Sequence, residues 1–183
     1  MSFDQLFEQA VALIGAGDVL ALDRLLAGHP ELATERLAAP GAWLRDKVGG
    51  ALDGFFKDPY LLWFVSEDAP VHGRLPANIA DVTRAILRAA SGAPGLQEQL
   101  DHALRLVCWS GVAQRCGVQI ELIDTLVDAG ASPDGGPDCA LVNGHVAAAE
   151  HLAARGAALT LASAVCLGRW EDARRLAASA TWP

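Results

Sequence analysis

Five times along this chain, a helix-forming stretch closes on two adjacent apolar residues. The steps are Leu25-Leu26, Ile86-Leu87, Leu126-Val127, Leu152-Ala153 and Leu176-Ala177. Glycine-containing breaks separate the stretches. In the opening one, Phe3, Leu6, Phe7, Ala10, Val11 and Ile14 recur at helical spacing. Gly15-Ala16-Gly17-Asp18 interrupts the run, and the Asp18 carboxylate is placed to accept from the free N–H groups of a second helix. That helix carries Leu22, Leu25 and Leu26, and Gly28-His29-Pro30 stops it. The result is a helical hairpin. A single hairpin cannot bury its own apolar face, so recurring hairpins must stack on one another.

Composition agrees. Hydrophobic residues make up 52% of the 183, mostly Ala and Leu, with only 6% aromatics, which favours helix over sheet. Small residues such as Ala147, Ala148 and Ala149 let neighbouring helices approach closely. The expected fold is all-α, a stack of about five irregular hairpins forming an α-solenoid.

The clearest copies end in Asn143-Gly144-His145 followed by Arg155-Gly156-Ala157, and in Asp128-Ala129-Gly130-Ala131-Ser132-Pro133-Asp134-Gly135. These segments resemble ankyrin repeats of a degenerate, short type. In that family a short helix meets a Gly-His or Gly-Asp turn, and a second helix runs to Leu-Leu and then Gly-Ala. The chain departs from the family pattern in lacking the T-P-L-H start and the regular period of about 33 residues. The resemblance implies one ankyrin-like domain over residues 1–183, with a non-repeat insertion near 31–58 that holds Trp43, Val48, Leu52, Phe55 and Phe56. It also implies a concave surface that recognises another protein. Arg169, Glu171, Asp172, Arg174 and Arg175 make the last hairpin read as a polar cap, and Asp4, Gln5, Glu8 and Gln9 do the same for the first. Both ends are therefore expected to be closed. Gly130 is expected to hold a positive φ, and Leu126 to sit in the core.

The net charge is −8, and no basic stripe is visible, so neither nucleic acid nor an anionic membrane is an expected partner. The Met1-Ser2-Phe3-Asp4 start has no leader character, and no apolar run approaches the ~20 residues of a membrane span. A cytoplasmic location is expected. Cys108, Cys116, Cys139 and Cys166 form no C-x-x-C pair and read as free thiols. His145 and His151 are not at the spacing of a helical metal pair, and no metal or other cofactor is expected.

No nucleophile elbow, phosphate loop or dinucleotide fingerprint is present. Glu67-Asp68 and the pair Asp134 and Asp138 read as solvated loop charges rather than an acid–base couple. The expected function is a non-catalytic protein-interaction module, a monomer with an unidentified protein partner. Two alternatives stand beside it: a small-molecule-binding or enzymatic protein with a pocket near the 67–78 loop, and a structural subunit. The run Pro59-Tyr60-Leu61-Leu62-Trp63-Phe64-Val65 reads as a core helix of the second repeat, with an aromatic recognition surface as the alternative. The candidate partner-binding residues are His72 and Arg74, in the long loop after it, and Asp134 and Asp138, in the turn after the Gly130 helix end. From Cys116 to Ala154 there is no Lys or Arg but there are six acidic residues, Glu121, Asp124, Asp128, Asp134, Asp138 and Glu150. The six read first as a solvated acidic surface that keeps an apolar chain soluble; the alternative is that Asp134 and Asp138 steer a basic segment of a partner, whereas Glu121, Asp124 and Asp128 belong to the outer face of a second helix.

Overall fold

The structure is a computed structural model, and it describes residues 1–66 and 73–179. Helices are the regular elements of those residues, with no strand among them. The helices are α1 (Phe3–Ala16), α2 (Val19–Gly28), α3 (Glu31–Thr34), α4 (Ala42–Val48), α5 (Ile79–Ala89), α6 (Leu96–Trp109), α7 (Gly111–Arg115), α8 (Gln119–Asp128), α9 (Gly136–Val142), α10 (Val146–Ala154), α11 (Leu161–Cys166) and α12 (Trp170–Ser179). Two 3₁₀ turns, Gly49–Asp53 and Leu61–Val65, complete the set.

One turn recurs at the tip of four helical pairs. Gly17, Gly117, Gly144 and Gly168 all sit at positive φ, between 66° and 75°. The residue after each donates its N–H back across the turn: Asp18 to Leu13 O, Val118 to Ala113 O, His145 to Ala140 O and Arg169 to Ala164 O, at 2.8–3.1 Å. This left-handed closure satisfies carbonyls that the helix end leaves free. At the first of these turns the Asp18 carboxylate accepts from Ala21 N at 3.0 Å, as its capping position requires. The same closure ends α8 and α10, where Ala131 N reaches Leu126 O and Ala157 N reaches Leu152 O.

The helices pack in two rows. α1 lies on the Leu61–Val65 turn, that turn on α6, α6 on α9, and α9 on α11. Alongside, α2 lies on α5, α5 on α8, and α8 on α10. Helices of the second row are tied by charge. Arg88 of α5 reaches Asp23 of α2 at 3.1 Å, and Arg84 reaches Glu121 of α8 at 3.4 Å. Asp124 of α8 accepts from His151 at 2.7 Å and from Arg155 just beyond α10, and Arg155 also pairs with Asp128. The outer acidic face anticipated from the sequence is therefore largely neutralised. Its cations come from α5 and from the residue that follows α10.

The 59–65 stretch is core, as expected, but shorter and tighter than an α-helix. All five residues of its 3₁₀ turn are buried. Phe64 packs edge-on against both Phe7 and Phe56, with ring centroids 5.9 and 5.1 Å apart. The segment expected to be an insertion forms α3, α4 and the Gly49–Asp53 turn. It is fastened to α1 where Asp4 Oδ1 accepts from both Gly41 N and Trp43 Nε1.

The last helical pair is less polar than a cap. Trp170 is 60% exposed, and Leu161 and Val165 of α11 are exposed beside it. Ala173 is the only buried residue of α12 among those described. No helix among the described residues is long and apolar enough to cross a membrane.

Candidate functional site

Two connections follow second-row helices in the C-terminal half, residues 130–135 after α8 and 156–160 after α10. Each is held by an aspartate of the preceding unit. Asp101 Oδ1 of α6 accepts from Ser132 N at 2.8 Å, and Asp134 Oδ1 accepts from Ala158 N at 2.8 Å. Asp138 of α9 accepts from the hydroxyl of Thr160, the N-cap of α11, at 2.9 Å. These bonds set the two connections side by side, next to the outward faces of α6 and α9.

A cleft of about 190 Å³ opens between α6 and the first connection, lined by Asp101, Leu104, Arg105, Ser132, Asp134 and Gly136. Asp101, Arg105 and Trp109 lie four residues apart on one face of α6. Arg105 has no ion-pair partner among the described residues, although it lines the same cleft as two carboxylates. Beyond it, Trp109 and Phe55 meet edge-on at 6.1 Å, 43% and 44% exposed. His102 holds this corner. Its Nε2 donates to Phe55 O at 2.9 Å, and its ring lies 4.0 Å from that of Trp63. Burial, together with the Arg105 and Arg36 guanidinium groups, keeps the His102 pKa below its ordinary value despite the bond to Phe55.

Of the four residues singled out in the sequence, Asp134 lines the cleft and Asp138 lies in the first turn of α9. Arg74 is exposed in a different place and does not line this cleft. The backbone N–H after it, at Leu75, donates to Cys116 Sγ at 3.4 Å. His72 lies outside the described residues, as does the 67–72 part of the loop beside which an alternative pocket was expected. Asp101, Arg105, Trp109 and Phe55 were missed. Their only signal in the sequence was the four-residue spacing of the first three, which any solvated helix face shares.

His145, at the Gly-His position, is buried and donates from Nδ1 to Cys108 O at 2.9 Å, tying the α9–α10 turn to the end of α6. Gln119 Nε2 donates to Val107 O at 2.9 Å from the neighbouring turn. Burial pushes the Cys108 thiol up to about 12, which makes it a poor nucleophile. Among the described residues no three His, Cys, Asp or Glu side chains are grouped to hold a metal ion. The cleft brings together two hydrogen-bonded carboxylates, Asp101 and Asp134, and the Arg105 guanidinium, with the Phe55–Trp109 pair on the α6 face beyond its lining. Compared with family models, curated proteins and solved structures, the chain matches none.

Proposed function

We propose that this chain is a non-catalytic interaction module of the ankyrin type, a short solenoid that holds a segment of a protein partner against α6, α9 and the 130–135 and 156–160 connections. The observation that carries the reading is the repeated tie. An aspartate of one unit fixes the connection of the next, at Ser132 and again at Ala158, so that successive connections form a continuous rim. Rigid connections on a stacked scaffold are where such arrays place recognition.

Charge indicates the kind of segment. The acids of the outer row, Glu121, Asp124 and Asp128, are already paired with Arg84, Arg155 and His151. Asp101, Asp134 and Asp138 instead use one oxygen each on hydrogen bonds to neutral groups, and none of the three has an ion-pair partner among the described residues. A basic segment with an apolar side chain fits, its cation near Asp134 and its apolar group against Phe55 and Trp109. Charges at a rim act mainly on association rate, and salt screens them over about 8–10 Å at physiological strength.

The test compares wild-type protein with the Asp134→Asn, Asp138→Asn double variant as baits in a native lysate. Asparagine keeps the oxygen that accepts from Ala158 and Thr160, so the connections stay in place. A protein captured by the wild type, with slower association and flatter salt dependence for the variant, is the expected result. Equal association across a salt series, or a co-purifying metabolite in place of a protein, refutes the reading.

A further inference from the structure

Trp170 of α12 and Leu161 and Val165 of α11 are all exposed. Helical periodicity sets out the charges of α12. Ala173 is buried with Asp172 and Leu176 half-buried beside it, so Glu171, Arg174 and Ala178 form the centre of the opposite face, flanked by Trp170. Asp172 is engaged within its own chain, by Arg169 at 3.3 Å and Arg175 at 2.6 Å. Glu171 and Arg174 have no ion-pair partner among the described residues, although they are three residues apart on one helix.

We infer that this face is the contact of a two-fold dimer, with α12 running antiparallel to α12 of a second copy of the chain. Along the outward face the acid comes first and the base second. An antiparallel two-fold partner reverses that order, so Glu171 of each copy meets Arg174 of the other. A contact of this kind must be self-complementary, and this pattern is. The opposed helix dipoles add to it. Trp170, at the edge of the face, is covered in the same step, and a large rigid aromatic is the side chain that most favours an interface. A uniformly acidic or basic partner would match only half of the face and be repelled by the other half. The inference is independent of the proposed cleft, which lies on α6 and the 130–135 connection.

Sedimentation velocity on the full chain over a concentration series tests it. Wild type dimerises. Glu171→Arg and Arg174→Glu each turn two symmetry-related attractions into repulsions and weaken the dimer about tenfold or more. The double reversal, Glu171→Arg with Arg174→Glu, restores it, and Trp170→Ala weakens it. All three positions are exposed, so the helical circular dichroism stays that of wild type. A monomer at every concentration overturns the inference. So does a dimer that ignores the single reversals, or one that the double reversal does not rescue.

Discussion

Trp43 donates its indole N–H to the carboxylate of Asp4 at 2.8 Å, across 39 positions of sequence. The same Oδ1 accepts from Gly41 N, also at 2.8 Å. One oxygen in the first turn of α1 thus fixes the entry of α4 against α1. Hydrogen bonds to a charged acceptor contribute about 1.5–3 kcal/mol each at most, and partial exposure reduces that. Asp4→Ala is expected to lower stability by about 1–3 kcal/mol in urea unfolding and to change Trp43 fluorescence. Native-like emission and an unchanged midpoint would show that the insertion is held by other contacts.

Leu126 is fully buried near the end of α8. Leu126→Ala is expected to cost about 2–5 kcal/mol, the range for emptying a packed leucine site. Denaturant titration measures it, with a loss under about 1 kcal/mol counting against a close-packed interior.

Gly130 stands at φ 108°, and a Cβ placed there would meet nothing within 4 Å. The first carbon of a side chain there has no neighbour to collide with, so the cost of adding it arises in the backbone. A β-branched residue held at positive φ is expected to destabilise by about 1–3 kcal/mol. Gly130→Ala should cost less, and a neutral valine would mean that α8 ends differently.

Asp124 provides a pH test. Burial pushes its carboxyl up, but the hydrogen bonds from His151 and Arg155 outweigh burial and hold it below the ordinary value of 3.8. A carboxyl depressed in the folded state stabilises the fold above its unfolded pKa, and the contribution is lost as pH falls through the folded one. Wild type should therefore exceed Asp124→Asn in melting temperature at neutral pH, and the gap should close only below about pH 4. A constant gap down to strong acid would exclude charge as its origin.

Much of the helical layout was legible in the sequence, because its signals are local. The Gly-Asp break, the capping reach of Asp18 and the left-handed Gly130 each depend on a few neighbouring residues. The buried 59–65 run could be read from apolarity alone, but not its 3₁₀ form, which packing against Phe7 and Phe56 decides. Residues 31–58 could be marked off because they break the pattern, but the short pieces they form could not be read, since contacts from outside, such as those of Asp4 with Gly41 and Trp43, hold them.

The sequence by itself determined that this chain forms helices, where most of them stop, and that their apolar faces need one another. Those outcomes follow from backbone conformation and side-chain periodicity, which act within a turn or two of helix. Only the tertiary structure decided what the charges do. Six acids in a stretch without Lys or Arg could be divided between an outer helix face and a turn, but their partners could not be read, since Arg84 lies far upstream and Arg155 just past the stretch's end. They pair with Glu121 and Asp124, while Asp134 is left to hold a backbone N–H at Ala158. A Coulomb or hydrogen-bond partner is fixed by distance in space, and helix packing sets that distance between residues the sequence keeps far apart.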